Sequence, residues 1–252
     1  MTTLDPGGAV LVGAAAFLAG AINAVAGGGS LLSFPALLLV HFHPLVANVT
    51  NTIGLLPGYA GGSIAYRREL AGQERRAKVL SVCSVAGAVA GALLLVHTSG
   101  HVFAAVVPWL LLISCALLLA QPLVSKALHD PRAAGGATHP VLVLGQFATA
   151  VYGAFFGAGL SVLTLAILGL FLHDDIQRLN ALKGVLSFVV NVVAAVCFVF
   201  LAPVAWSAVA LMLPASFTGG VVGVALARRI SASWLRAMIV AFGVAVAIRL
   251  LV

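Results

Sequence analysis

Apolar runs of roughly bilayer-crossing length alternate with short polar stretches along the whole chain. They fall at about 8–26, 30–41, 46–65, 77–96 and 101–121, then at about 140–156, 160–172, 180–201, 203–228 and 231–252. Runs of about 20 residues with almost no charge predict membrane-spanning helices. The period-two alternation of a barrel strand is absent from them. The segment 30–41 is too short to cross: as a helix it reaches about 18 Å, against roughly 30 Å of hydrocarbon. It follows three consecutive glycines in "AINAVAGGGSLLSFPALLLVHFHP", Ala21 to Pro44. Each glycine costs a helix about 1 kcal/mol relative to alanine, so Gly27, Gly28 and Gly29 predict a break, followed by a half-helix or a re-entrant element. Such breaks are tolerated at membrane depth only where protein or a water-filled cavity satisfies the freed backbone groups.

The polar stretch 122–139, with Pro122, Pro131, Gly135 and Gly136, separates a first transmembrane repeat, 1–121, from a second, 140–252. Sliding the chain by 130 residues sets Gly27 on Gly157, Gly29 on Gly159, Thr50 on Asn180 and Gly54 on Gly184. A slide of 132 sets "SVAGAVAG" (Ser84 to Gly91) on "SFTGGVVG" (Ser216 to Gly223). Charge decides the orientation of the copies. If each broken segment crosses once, 8 of the 13 Lys and Arg residues lie on the cytoplasmic side; if each goes in and returns, 12 do. The second arrangement obeys the positive-inside rule. It gives five segments per half, an odd number, so the copies are inverted and both termini are external. The expected fold is an all-α polytopic membrane protein of two inverted repeats, each with a broken or re-entrant first segment.

Composition narrows the function classes. The 252 residues are 62% hydrophobic and 8% charged, with a mean hydropathy of +1.18; a soluble domain carries about 25% charged residues. The net charge of +7 then reflects cytoplasmic loops on a lipid bilayer rather than nucleic acid as partner. The N-terminus lacks a positive n-region and a cleavage site and reads as the first structural segment. Cys83, Cys115 and Cys197 are scattered in apolar runs without metal-ligand spacing. No nucleophile–base pair or metal cluster falls within a predicted span, so neither an enzyme, a metal nor a cofactor is expected. All six acids lie in predicted loops or at segment ends, which leaves no carboxylate for a buried cation-coupling site and suits an anionic substrate.

The candidate substrate-binding residues follow from the breaks. Ser30 can cap a helix starting after Gly29. The free N–H groups of that first turn, with the helix dipole, favour an anion. The second copy offers "GAGLS", with Gly157, Gly159 and Ser161. The following segments open with polar residues: Asn48, Thr50 and Asn51 in "ANVTNT", and Asn180 and Lys183 in "RLNALKG", three apart and on one helix face. Lys183 is the candidate counter-charge. Asn191, deeper in the same segment, and Asn23, before the glycines, need interior partners. Gly87 with Gly91 and Gly219 with Gly223 have the spacing of close helix packing.

At "GAINAVAGGGSLLSFPALL", "ANVTNTIG", "YRRE", "GAFFGAGLS" and "RLNALKG" the sequence resembles the TauE/SafE family of sulfite exporters, over nearly the whole chain. The resemblance implies a multi-pass transporter of the bacterial inner membrane that exports small sulfur oxyanions, sulfite or organosulfonates such as sulfoacetate, by alternating access. An anion channel or uniporter is the alternative, and a homo-oligomer is left open. Carried over by motif, its site residues are Gly27, Gly28, Gly29, Thr50, Asn51, Gly157, Gly159, Asn180 and Lys183. Pro35 has Leu165 at its aligned position, so the two half-helices need not be equivalent.

Overall fold

A computed structural model describes residues 4–25, 27–65, 68–127, 139–172, 174–226 and 232–251. Among these the chain is helical: α1 (Pro6–Val25), α2 (Ser30–Leu39), α3 (Pro44–Gly54), α4 (Leu56–Ala65), α5 (Glu74–His97), α6 (Gly100–Ala127), α7 (Pro140–Phe155), α8 (Leu160–Phe171), α9 (Ile176–Leu201), α10 (Trp206–Leu226) and α11 (Ala232–Leu251). By length and composition α1, α5, α6 and α9 can each cross a membrane. The polarity of the molecule is that of a membrane protein. Large apolar side chains such as Phe200, Trp206, Leu123 and Leu144 face outward, while Asn48, Asn51, Gln146, Ser187 and Asn191 are buried.

Local sequence explains most of the boundaries. Pro44 and Pro140 stand in the first turns of α3 and α7, where a missing N–H costs nothing. Asp175 caps α9 by accepting from the Gln177 N–H at 2.8 Å. The single segment expected over 46–65 is in fact two helices, α3 and α4, broken at Leu55. Pro57, in the first turn of α4, offers no N–H to continue the α3 ladder. Pro108 and Pro214, by contrast, lie inside α6 and α10. Helix α6 also runs on to Ala127, through Pro122 and into the stretch taken as linker; the rest of that stretch up to residue 138 lies outside the described residues.

The halves share a schedule. α1 ends at Val25 and α7 at Phe155; α2 begins at Ser30 and α8 at Leu160, in each case 130 residues apart. α5 and α10 begin at Glu74 and Trp206, and α6 and α11 at Gly100 and Ala232, each pair 132 apart. The packing is reciprocal as well. α1 lies along α10 and α7 along α5, the most extensive contacts in the molecule. At the first interface a Cβ on Gly219 would strike the Phe17 carbonyl; at the second, a Cβ on Gly87 would lie 2.6 Å from the Phe147 carbonyl. These glycines act through close backbone approach, and Gly91 does the same against the Val151 carbonyl. Gly223 falls where side-chain surroundings are outside the described residues.

The described loops gather at two ends. At one, Gly8 packs against Val40, Gly100 against His43, and the Ala205 N–H donates to the Thr50 hydroxyl at 3.1 Å. At the other, Asp174 accepts from Arg76 and from Arg178, both at 2.7 Å. There Arg178 also donates to the Ala71 carbonyl and Gln73 to the Arg178 carbonyl. The start of α1 and the end of α2 therefore share one end, so α2 runs back along the direction of α1.

Candidate functional site

The two breaks meet. A Cβ placed on Gly27 would lie 2.5 Å from Ser161 Cβ, so the first break touches the first turn of α8. Phe34 of α2 stacks edge-on against Phe156 of the second break, with ring centroids 5.4 Å apart. Asn48 of α3 donates to the Phe155 carbonyl at 3.0 Å. Left-handed backbone occurs at Gly27 (φ 73°), Gly28 (φ 96°), Gly157 (φ 82°) and Gly159 (φ 82°), a region that L side chains enter at a cost of about 1–2 kcal/mol. Gly29 is different: its φ of −58° is ordinary, but a Cβ there would collide with the Ala19 carbonyl of α1.

The first break closes on itself. The Gly27 N–H donates to the Ile22 carbonyl at 3.0 Å, and the Gly29 N–H donates to Asn23 Oδ1 at 2.8 Å. Ser30 is therefore not the cap expected from the sequence. It is the first helical residue of α2, with Gly29 in the cap position, and Asn23 reaches the break from the preceding turn of α1. The buried Tyr59 phenol lies within hydrogen-bonding reach of both Ser30 and Asn23. Ser33 ties α2 to α3 by donating to Asn51 Oδ1 at 2.5 Å.

The second break is held from outside. Tyr152 of α7 donates to the Ala158 carbonyl at 2.7 Å, and the Ser114 hydroxyl of α6 lies 3.0 Å from the same carbonyl and 2.8 Å from the Tyr152 hydroxyl. A trans peptide sets its N–H opposite its C=O. Drawing the Ala158 carbonyl toward α6 therefore turns the Gly159 N–H away from α6. Among the described residues the N–H groups of Gly157, Gly159 and Ser161 have no acceptor. They open α8, a 12-residue helix whose dipole favours negative charge at this end. α6 also touches the first break, through Leu118 against Gly28.

Helix α9 carries the remaining polar groups. Asn180, Lys183 and Asn191 lie on one stripe, with Ser187 between them at helical spacing. Lys183 Nζ donates to Asn180 Oδ1 at 2.9 Å, and Asn191 donates to the Ser187 carbonyl at 2.8 Å. Lys183 is 9% exposed and is the one buried charged side chain among the described residues. Thr50 stands apart, since its hydroxyl receives the Ala205 N–H at the start of α10. Asn23, Ser33, Ser114, Tyr152, Thr164 and Ser187 were not among the site residues picked from the sequence. Two of them carried a readable signal there: Asn23, an amide in an apolar run that was expected to need an interior partner, and Ser187, four residues from both Lys183 and Asn191.

Three buried oxygens near these elements have no hydrogen-bond partner among the described residues: Asn48 Oδ1, Thr164 Oγ1 and Ser187 Oγ. An unpaired buried polar group costs about 1–3 kcal/mol. An interior with spare hydroxyls, unpaired helix-start N–H groups and one ammonium can take up a small anion with several oxygens.

Comparison with known proteins finds membrane transporters. A probable membrane transporter protein, ORF9, of a Sinorhizobium species is 31% identical over 94% of this chain and 90% of its own length. The probable membrane transporter YfcA of Escherichia coli K12 is 26% identical over 94% and 87%; one from Haemophilus influenzae is 25% identical over 89% and 87%. No solved structure matches the chain significantly. The model of the sulfite exporter TauE/SafE family matches residues 12–250. The chain, a multi-pass membrane protein with the relatives of a transporter, belongs to the TauE/SafE family.

Proposed function

We propose that this protein is a secondary transporter of the bacterial inner membrane that exports small sulfur oxyanions, sulfite or organosulfonates, by alternating access. The observation that carries the reading is the meeting of two broken helices, Gly27 against Ser161, in an interior whose one buried charge among the described residues is the Lys183 ammonium. In this reading the Gly157, Gly159 and Ser161 N–H groups receive the anion, with Lys183 and Asn180 as counter-charge and neighbour. The first break supplies Gly27 to Ser30, with Asn48, Asn51 and Asn191 as further polar ligands. Asn23 occupies the Gly29 N–H when no anion does.

Two inverted five-segment repeats, 1–121 and 140–252, supply the moving parts. Their support is the shared helix schedule and the reciprocal packing of α1 on α10 and α7 on α5. Rocking of such repeats about a central site is a known route to alternating access. An outside-positive potential favours anion efflux by about 2.3 kcal/mol per charge per 100 mV, so a driving ion is not required. The function is tested in proteoliposomes. Sulfite or a short sulfonate should cross protein-containing vesicles and not protein-free ones; equal leak in both would overturn the proposal.

The end that carries Arg76, Arg178 and Asp174 is assigned to the cytoplasm, and the termini to the outside, by the positive-inside rule. In a cysteine-free background, Ala71→Cys should react with an impermeant maleimide only from the cytoplasmic side, and Ser99→Cys only from the outside. The opposite pattern would invert the assignment.

A further inference from the structure

Two seams of the molecule are packed backbone to backbone, and each joins one half of the sequence to the other. α1 meets α10 where a Cβ on Gly20 would strike the Ser216 carbonyl and one on Gly219 the Phe17 carbonyl. α5 meets α7 where a Cβ on Gly91 would strike the Val151 carbonyl and one on Gly87 would lie 2.6 Å from that of Phe147. Hydrogen bonds reinforce both sides. Ser216 of α10 donates to the Gly54 carbonyl of α3 at 2.7 Å, and Gln146 of α7 donates to Ser84 of α5 at 2.9 Å. The rest of the packing follows the same division. α10 also lies on α3 and α4, which stay with α1 and α2; α5 also lies on α9, which stays with α7 and α8. The first half of the chain thus lends α5 to the second group, and the second half lends α10 to the first. The α6–α11 pair touches both groups. The groups themselves meet at the breaks, Gly27 on Ser161, Phe34 on Phe156 and Asn48 on Phe155, and where α4 lies along α9.

We infer that the bodies that move against each other are two groups that have exchanged a helix: α1 to α4 with α10, and α7 to α9 with α5. The inference rests on the transport reading above and specifies its moving parts. Membrane helices are held together chiefly by close packing. A seam of touching backbones has no side chains that could re-pack in a second register, and opening it by about 1 Å forfeits up to about half of its dispersion attraction. The α1–α10 and α5–α7 seams therefore stay shut, and each group moves as a unit. Each group carries one break, Gly27 to Ser30 in the first and Gly157 to Ser161 in the second, so a movement between them opens or closes the junction of the breaks. The chain passes directly from one group to the other at two places, between α4 and α5 and between α9 and α10. These connections lie at opposite ends of the molecule, one beside Arg178 and the other beside Thr50, which gives the movement one hinge at each end.

The test is crosslinking in the full-length, otherwise cysteine-free protein in proteoliposomes, read as the transient uptake of labelled sulfite or methanesulfonate into vesicles preloaded with the unlabelled anion. Gly13→Cys with Leu211→Cys spans the α1–α10 seam, where a Cβ on Gly13 lies 3.6 Å from Leu211 Cδ1. Ser84→Cys with Gln146→Cys spans the α5–α7 seam. Each pair ties the first half of the chain to the second when bridged by a short bis-methanethiosulfonate reagent, which a reductant removes. A protease cut introduced between α6 and α7 after the assay verifies the bridge, because only bridged halves stay joined on a denaturing gel. Both bridged proteins should transport within about two-fold of their reduced forms, since neither bridge crosses the moving boundary. Transport abolished by either bridge and restored by reduction is the result for repeats that move as intact bodies, and would overturn the inference. Phe34→Cys with Phe156→Cys crosses the boundary, and its bridge should abolish transport reversibly; undiminished transport would also overturn the inference. Should loss of the two rings prevent folding, the first two pairs decide alone. Failure of the wild type to take up either anion would instead sink the transporter reading, and this inference with it.

Discussion

Gly29→Ala unfolds or misassembles the protein, while Gly157→Ala is tolerated with a modest loss of stability. The two glycines open the equivalent half-helices but are glycine for different physical reasons. A methyl on Gly29 meets the carbonyl of Ala19, backbone atoms that cannot rotate aside; α1 and α2 must separate to admit it, an overpacking cost of about 3 kcal/mol or more. Gly157 has room, its nearest neighbour being the Gly153 carbonyl at 3.3 Å. Its demand is the left-handed φ of 82°, which costs an alanine about 1–2 kcal/mol. Gly27 combines both demands, with φ 73° and Ser161 at 2.5 Å, and its alanine variant should resemble Gly29→Ala. Thermal unfolding in detergent, read as the loss of the monodisperse peak, ranks the three. A Gly157→Ala variant less stable than Gly29→Ala would contradict this division of roles.

Lys183→Met weakens anion binding by at least about 30-fold, because it removes a charge-assisted hydrogen bond together with the site's buried cation. It does so without destabilising the empty protein. The ammonium of a lysine 9% exposed, whose one assigned acceptor is Asn180, is poorly compensated for its lost hydration, and a methionine of similar length fills the space without that penalty. The combination of lost binding and equal or higher melting temperature separates a functional lysine from a structural one. Binding of sulfite or a sulfonate with unchanged affinity would remove Lys183 from the site. A lowered melting temperature with intact binding would make the lysine a packing element.

How much of this was visible in the residue order depended on whether the signal was local. Three glycines in an apolar run announced the first break, and beyond it the chain doubles back so that Val40 lies beside Gly8. The 130- and 132-residue slides found from a few glycines and serines recur in the helix boundaries themselves. The Asn180–Lys183 pair was legible because three-residue spacing on a helix brings side chains together. What failed were partnerships between distant segments. Ser30 looked like a cap because it sits in the right place, yet the Gly29 N–H is taken by Asn23, whose reach depends on how α1 ends. The Thr50 hydroxyl accepts the N–H of Ala205 just before α10, 155 positions away, a partnership that no local spacing announces. The Ser114–Tyr152 clamp on Ala158 joins α6 to α7 across the two halves, and no spacing in one segment announces it. The run 46–65 read as one helix because its hydropathy is continuous, although Pro57 contained the reason for two.

In the proposed mechanism the two breaks form one anion site offered to each side of the membrane in turn. Counterflow in proteoliposomes tests it most directly. Vesicles loaded with unlabelled sulfite or methanesulfonate are diluted into a trace of the labelled anion with the membrane potential clamped at zero. A carrier should accumulate label transiently above its equilibrium level, and Lys183→Met should abolish the overshoot. Label that only equilibrates, at a rate insensitive to the unlabelled anion inside, would mean an open pore and would contradict the account.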